Sequence, residues 1–264
     1  MLRCLTLLVP ALLAASVFAA QPATPNILLI YADDLGYGDV SSYNAQSAWR
    51  TPHLDALAAQ GVRFTDAHSA SALCTPSRYA LLTGRYAWRG PLKQGVTQGY
   101  SAPVIEAGRL TLARLLRNHG YATAMMGKWH LGLDWARTGD QPSDVDYAKP
   151  LGGGPTAHGF DTFFGISASL DMPPYVWIEN DRVTKLPTGV VGDSPSPKLW
   201  RSGVISDDFR FEDVQPQLAS RTIDFLRARA GAADGKPFFL YLALASPHTP
   251  IMVAPEFVGR TGTT

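Results

Sequence analysis

Cysteine is almost missing from this 264-residue chain, which has only Cys4 and Cys74. If the N-terminal segment is removed, Cys74 stands alone and no internal disulfide can form. It is then a buried bystander, an intermolecular linker or a residue used chemically. An excess of charge of either sign is lacking too: 23 Lys and Arg face 22 Asp and Glu, for a formal net charge of +1. Nothing draws such a chain toward nucleic acid or an acidic membrane surface, and neither is expected as a partner. There are no internal repeats and no low-complexity tract outside the N-terminus, so nothing marks a repeat architecture. After the N-terminus no apolar run is long enough to span a bilayer, which argues against stable membrane insertion.

What is present suits one compact globular domain, with 46% apolar and 17% charged residues. The first nineteen residues read as a secretory signal. Arg3 supplies the positive start, Leu5 to Phe18 is nearly unbroken apolar sequence, and Val17-Phe18-Ala19 fits a cleavage site. Cys4 precedes the apolar run rather than following it, which disfavours a lipid anchor. An exported protein, periplasmic or extracellular, is expected.

Downstream, strands and helices alternate. Ile27 to Ala32 is a continuous apolar run of the kind buried on both faces in a parallel sheet. Thr51 as cap, Pro52 at the first helical position and Gly61 delimit a short helix. Val62 to Thr65 reads as a brief strand, and Cys74 to Gly84 as a helix with Pro76 at its first position. Thr111 caps a helix stopping at Gly120, and Tyr121 to Met126 is the following strand. Residues 134 to 170 are rich in Gly, Pro and Asp and read as loops broken by a short segment at Phe160 to Ile166. Tyr175 to Ile178 and Arg182 to Leu186 suggest a peripheral hairpin, Val214 to Ala230 a helix, and Pro237 to Leu244 a second fully apolar strand. Asp33-Asp34, Lys128 with His130, and His248 each fall just past the carboxyl end of a strand. In a parallel α/β sheet those ends share one edge, where ligands bind.

Each cluster has its own chemistry. The head of a helix starting at Cys74 offers unpaired N–H groups and a positive dipole end, a place for an anion. Asp33 and Asp34 at a turn supply hard oxygens suited to Ca²⁺ or Mg²⁺, although such a pair is ordinarily just a capped turn. Lys128 can hold an anionic oxygen and His130 can move a proton near neutral pH. His248 sits in a stiff Pro-His-Thr-Pro loop. Arg78 lies one turn into the Cys74 helix, and Ser169 follows Phe163-Phe164-Gly165-Ile166; singly, both are ordinary solvated or loop residues.

The stretch Cys74-Thr75-Pro76-Ser77-Arg78 through Thr83-Gly84 resembles the sulfatase signature, and Gly120 to His130 is similar to that family's second one. The resemblance covers Pro25 to Phe257 and implies an alkaline-phosphatase-like α/β sandwich with a largely parallel sheet, spanning residues 25–264. It further implies that Cys74 is oxidised by a formylglycine-generating maturation enzyme to the catalytic aldehyde, and that Asp33, Asp34 and residue 74 meet a calcium or magnesium ion. Arg78 and Lys128 would stabilise sulfuryl oxygens, Ser169 would contact the substrate sulfate, His248 would protonate the leaving alcohol, and His130 would act as base. The implied substrate is an aryl or carbohydrate sulfate ester. Past His248, residues 250 to 264 match neither the later Asp-Asn pair nor the later lysine of the family. The expectation is therefore the N-terminal portion of the catalytic domain, C-terminally incomplete, as a fragment or truncated product with a sheet edge and apolar surface exposed. Alternatives are a phosphate or phosphonate ester hydrolase with the same kind of site, or an inactive truncated relative.

Overall fold

The computed structural model describes residues 24–260 apart from Pro197. The expected leader at 1–19 and residues 261–264 lie outside the described residues. Strand β1 (Ile27–Asp33) is followed by helices α1 (Pro52–Gln60), α2 (Cys74–Thr83) and α3 (Leu112–Asn118). Then come β2 (Ala122–Lys128), β3 (Thr162–Ile166), β4 (Ile178–Glu179), β5 (Arg182–Val183), β6 (Gly189–Val191) and β7 (Gly203–Ile205). Helix α4 (Val214–Ala230) and β8 (Phe238–Pro247) complete the order.

Six strands form one sheet in the order β1-β8-β2-β3-β4-β5, while β6 and β7 pair separately. The contacts β1 with β8, β8 with β2 and β2 with β3 are parallel, and β4 and β5 add an antiparallel margin. The strand that arrives last in sequence thus inserts between β1 and β2, bringing three parallel carboxyl ends together. Its composition accounts for the position. Phe239, Leu240, Tyr241 and Ala243 are fully buried, as a strand covered on both faces requires.

Two apolar layers cover the sheet. Phe239, Tyr241 and Met125 face a cluster with Phe160, Phe163, Trp129, Tyr79 and Leu82, which brings α2 onto that side. Ala124, Met126, Leu240 and Leu242 face the other way, against Val214 and Leu218 of α4 and the aromatic group Trp177, Phe209 and Phe211. Helices on both faces of a mainly parallel sheet give the α/β sandwich expected from the alternating pattern.

Several helix signals act as the sequence suggests. The Thr111 hydroxyl accepts from the Arg114 N–H at 3.1 Å, and Gly84 ends α2 in the left-handed conformation with φ of 65°. Pro76, however, occupies the third rather than the first position of α2, because the helix already begins at Cys74. Its missing N–H still falls among the unpaired groups of the first turn, so the ring is accommodated.

Three other expectations are corrected. β1 is an edge strand among the described residues, and its apolar run is partly buried on one face and exposed on the other. Leu28 and Ile30 pair in register with Leu240 and Leu242 yet stay 44% and 54% exposed, because α4 packs on β8, β2 and β3. Val62 to Thr65 is not a strand: it is exposed and has no partner, and β-prone composition cannot substitute for one. The hairpin around Glu179 to Asp181 does lie at the sheet margin, but its first arm is not superficial. Tyr175, Val176, Trp177 and Ile178 are buried, and β4 extends the sheet from β3.

Close strand approach at the carboxyl edge depends on Gly127. It has φ of 119°, and a Cβ there would lie 1.9 Å from the Ala243 carbonyl oxygen in the neighbouring strand. Gly120 also has positive φ, at 88°, but open space around it. Gly120→Ala is therefore expected to cost about 1 kcal/mol from backbone conformation alone. Gly127→Ala adds a backbone clash and should cost at least about 3 kcal/mol. Urea denaturation of both variants checks this, and equal losses would contradict the packing described.

Candidate active site

The residues singled out by their sequence positions gather at one edge. Asp33 ends β1, Lys128 ends β2, Ser169 follows β3, and His248 follows β8, where Asp33 is in register with Pro247. The His248 N–H donates to the Asp33 carbonyl at 2.9 Å, tying the last loop to the first turn. Cys74 heads α2 beside them, half-buried, and a cleft of about 310 Å³ is lined by Asp33, Asp34, Cys74, Ser71 and Ser77 among others.

Beneath the cleft is a buried charge cluster. The Lys128 ammonium donates to the Asp33 carboxylate, and the Arg78 guanidinium lies 3.5 Å from its other oxygen; all three side chains are at most 5% exposed. Arg78 also donates to the Lys128 carbonyl at 2.8 Å and the Leu244 carbonyl at 3.2 Å, and covers the Tyr31 ring. One guanidinium thus joins α2 to β1, β2 and β8. Burial pushes the Asp33 carboxyl up, but the Lys128 and Arg78 charges outweigh it and hold the group below the usual carboxylate range. Burial and the Arg78 charge draw Lys128 downward against the pull of Asp33.

Lys128 spends a second proton on the Ser169 hydroxyl at 3.0 Å, and that hydroxyl is 3.3 Å from His248 Nδ1. His248 Nδ1 is also 2.6 Å from the Thr249 carbonyl oxygen, so it carries a proton and donates. Its Nε2 lies 3.8 Å from the Asp34 carboxylate. The neighbouring Cys74 raises the His248 ring to about 9 against the effect of burial, which makes it a cation at neutral pH while the thiol is in place. For Cys74 itself, burial pushes the thiol up, but the bond to His248 and the nearby Lys128 charge bring it below its ordinary value.

His130 is fully buried, with its ring Nε2 2.7 Å from the Thr97 carbonyl oxygen. Burial is the main reason its ring is held well below the ordinary histidine range, and the Lys128 charge adds to it. Asp34 departs from its neighbour: its backbone is left-handed with φ of 65°, and its side chain is 60% exposed. The two carboxylates therefore do not both sit inside the cluster.

For a hard cation this donor set is too small. Asp33 is already engaged by two cations, and no group of three or more His, Cys, Asp or Glu that could hold a metal occurs among the described residues. A calcium ion ordinarily takes six to eight oxygens. The residues present do not complete its site.

Some participants carried no sequence signal. Thr75 and Thr97 donate their hydroxyls to the His130 carbonyl, each at 3.0 Å. Tyr79 donates to Glu106 at 2.7 Å, and Arg85 binds the same carboxylate at 2.7 Å, bracing the far end of α2. Thr75 lies inside the Cys74 signature, where its hydroxyl could have been noticed. Thr97 lies in a loop with no periodicity.

A sulfatase family model matches residues 25–264. The chain is 35% identical over 272 residues to an N-acetylgalactosamine-6-O-sulfatase of Bacteroides thetaiotaomicron, covering 90% of this chain and 51% of that protein. It is 39% identical over 259 residues to arylsulfatase A of Bos taurus, covering 95% of this chain and 46% of that one. The chain thus spans about half the length of the curated relatives it matches. A solved Bacteroides thetaiotaomicron structure, described under the metabolism of multiple glycosaminoglycans, superposes with a TM-score of 0.77 at 32% identity, covering 91% of this chain and 55% of that one. A phosphonate monoester hydrolase of Agrobacterium radiobacter shares the fold, with a TM-score of 0.51 at 22% identity, covering 90% of this chain and 44% of that one.

The Cys74 and His248 pair gives a test that needs no turnover. With the thiol held low, iodoacetamide should alkylate Cys74 at pH 7 faster than it does free cysteine, as followed by peptide mass. His248→Gln removes the bond that lowers the thiol, so the alkylation midpoint should move to higher pH. An unchanged midpoint would show that the two side chains are uncoupled.

Proposed function

This chain belongs to the sulfatase family, and from that membership we propose that it carries the nucleophile-bearing part of a sulfuric ester hydrolase acting on aryl or carbohydrate sulfates. The observation that supports this most is the buried charge cluster beneath the cleft at Cys74. Lys128 and Arg78 flank a single buried carboxylate, Asp33, leaving one positive charge in excess for an anionic ester.

Cys74 is the position expected to be matured to formylglycine, for which the thiol stands in here. Its half-buried place at the uncapped head of α2 leaves room for the hydrated aldehyde, which supplies the attacking oxygen when formed. Lys128 and the first-turn N–H groups of α2 would hold oxygens of the sulfate and stabilise the charge gathering on them. Ser169 links Lys128 to His248 and keeps both aimed at the cleft. As the bond from sulfur to the alcohol oxygen breaks, His248 passes its proton to that oxygen, so the product leaves as a neutral alcohol. His130, neutral because it is buried, then accepts the proton whose removal lets sulfate depart. Arg78 contributes through Asp33 and the Lys128 carbonyl, as a brace of the charge cluster. No step is assigned to a cation, because Asp33 and Asp34 alone give it too few oxygens.

Export belongs to the same reading. The Arg3 to Ala19 leader pattern supports it, and among the described residues no helix is long and apolar enough to cross a membrane.

Expression with a formylglycine-generating enzyme, followed by peptide mass at residue 74 and kinetics on matched aryl sulfate and aryl phosphate esters, tests the proposal. Conversion at residue 74 and faster sulfate turnover are expected. His248→Gln should lower kcat by roughly 100-fold or more, as for loss of a positioned general acid. Faster phosphate turnover would overturn the sulfatase reading in favour of a phosphate or phosphonate ester hydrolase, and an unmodified thiol would remove the formylglycine mechanism.

A further inference from the structure

His130 adopts a backbone conformation that a histidine rarely takes, with φ of 55°. A left-handed backbone is unfavourable for a residue other than glycine, so neighbouring groups must hold it there. Its N–H donates to the Ser167 carbonyl at 3.1 Å. Its carbonyl oxygen accepts two hydroxyls, from Thr75 and Thr97, each at 3.0 Å. The Thr97 N–H in turn donates to the Thr75 hydroxyl oxygen at 3.1 Å.

The proton count closes around this clamp. Each threonine hydroxyl has one proton and gives it to the His130 carbonyl, so the 3.3 Å separation between the two hydroxyls is a contact and not a further donated bond. All the participating side chains are buried, and Thr75 is the residue directly after Cys74. The nucleophile helix and the His130 loop are thereby fastened at a single point.

The ring adds the decisive detail. Nε2 is 2.7 Å from the Thr97 carbonyl oxygen, and a carbonyl can only accept. Nε2 therefore carries the proton. Nδ1 has no hydrogen-bond partner and is fully buried. An unpartnered buried ring nitrogen needs an explanation, and a lone pair kept for reaction supplies one.

We propose that Thr75 and Thr97 are positioning residues that lock His130 as the neutral tautomer protonated at Nε2, reserving Nδ1 as the basic nitrogen of the site. This rests on the sulfatase reading for what the base does: the Nδ1 lone pair takes one proton from the hydroxyl of the matured residue 74, and the other proton stays on Nε2, donated to the Thr97 carbonyl, so the ring becomes an imidazolium. The tautomer itself is independent of that reading. The Thr97 main chain selects it, and the two hydroxyls keep the His130 main chain where the selection holds. Burial of the ring reinforces the neutral form.

Long-range proton–nitrogen NMR on protein labelled at histidine nitrogens tests this with Cys74 still unmodified, His130→Gln identifying the His130 signals. The expected pattern is a neutral ring with its proton on Nε2 and a bare Nδ1. Thr75→Val should replace it with a mixture of tautomers, Thr97→Val should act likewise as a second variant, and Thr75→Ser should restore it. In matured enzyme Thr75→Val should lower kcat by up to about 100-fold with KM little changed, and Thr75→Ser should recover it. A proton on Nδ1 or a charged ring at neutral pH in the parent protein would overturn the proposal. So would a parent-like tautomer in both folded valine variants. Absence of sulfate turnover in a protein showing the expected tautomer would count against the sulfatase reading alone.

Discussion

The structure turns on one buried contact, the Asp33 carboxylate held between the Lys128 ammonium and the Arg78 guanidinium. Removing three charges from water is costly, and their mutual attraction offsets that cost only while all remain in place. The partners come from the carboxyl end of β1, the carboxyl end of β2 and the second turn of α2. Arg78 reaches β8 as well through the Leu244 carbonyl. The same contact therefore closes the sheet edge and sets the floor of the cleft, so fold and site share one electrostatic requirement.

Its charge balance also bears on what can be bound. Two cations against one carboxylate leave a positive excess, while Asp34 sits mainly in solvent. A neutral ester would gain nothing from that excess. A sulfate ester brings the complementary charge in a group small enough to reach the head of α2. The two histidines differ because their surroundings do. His248 is only partly covered and is drawn toward its cation by Cys74, whereas His130 is fully buried beside the Lys128 charge, which outweighs the Thr97 carbonyl and keeps the ring neutral.

Much of this was legible in the chain because it is encoded locally. Apolar runs ending in Asp33, Lys128 and just before His248 marked strand ends, Thr111 and Gly84 marked helix termini, and the Cys74 stretch marked the nucleophile proposed above. What escaped depends on long-range placement. Ile27 to Ala32 has the composition of a doubly covered strand, yet nothing within it records that α4 packs over β8, β2 and β3. Tyr175 to Ile178 reads as an ordinary hairpin arm until pairing with β3 buries it. Thr97 shows no pattern at all, because what it gives His130 is a main-chain carbonyl and one hydroxyl, which any loop threonine could offer. Even the pair Asp33-Asp34 splits, since a positive φ at Asp34 sends adjacent carboxylates to different surroundings.

The central claim is that Asp33 and Lys128 stabilise the protein only as a pair, and a double-mutant cycle measures this directly. Asp33→Asn and Lys128→Met, singly and together, are compared by urea denaturation. Each single change should cost about 3–5 kcal/mol by leaving a buried charge uncompensated. The double variant should lose clearly less than the sum, with a coupling of about 1–3 kcal/mol. Additive losses would mean that the two residues act independently, and that the cluster does not hold the strand ends together.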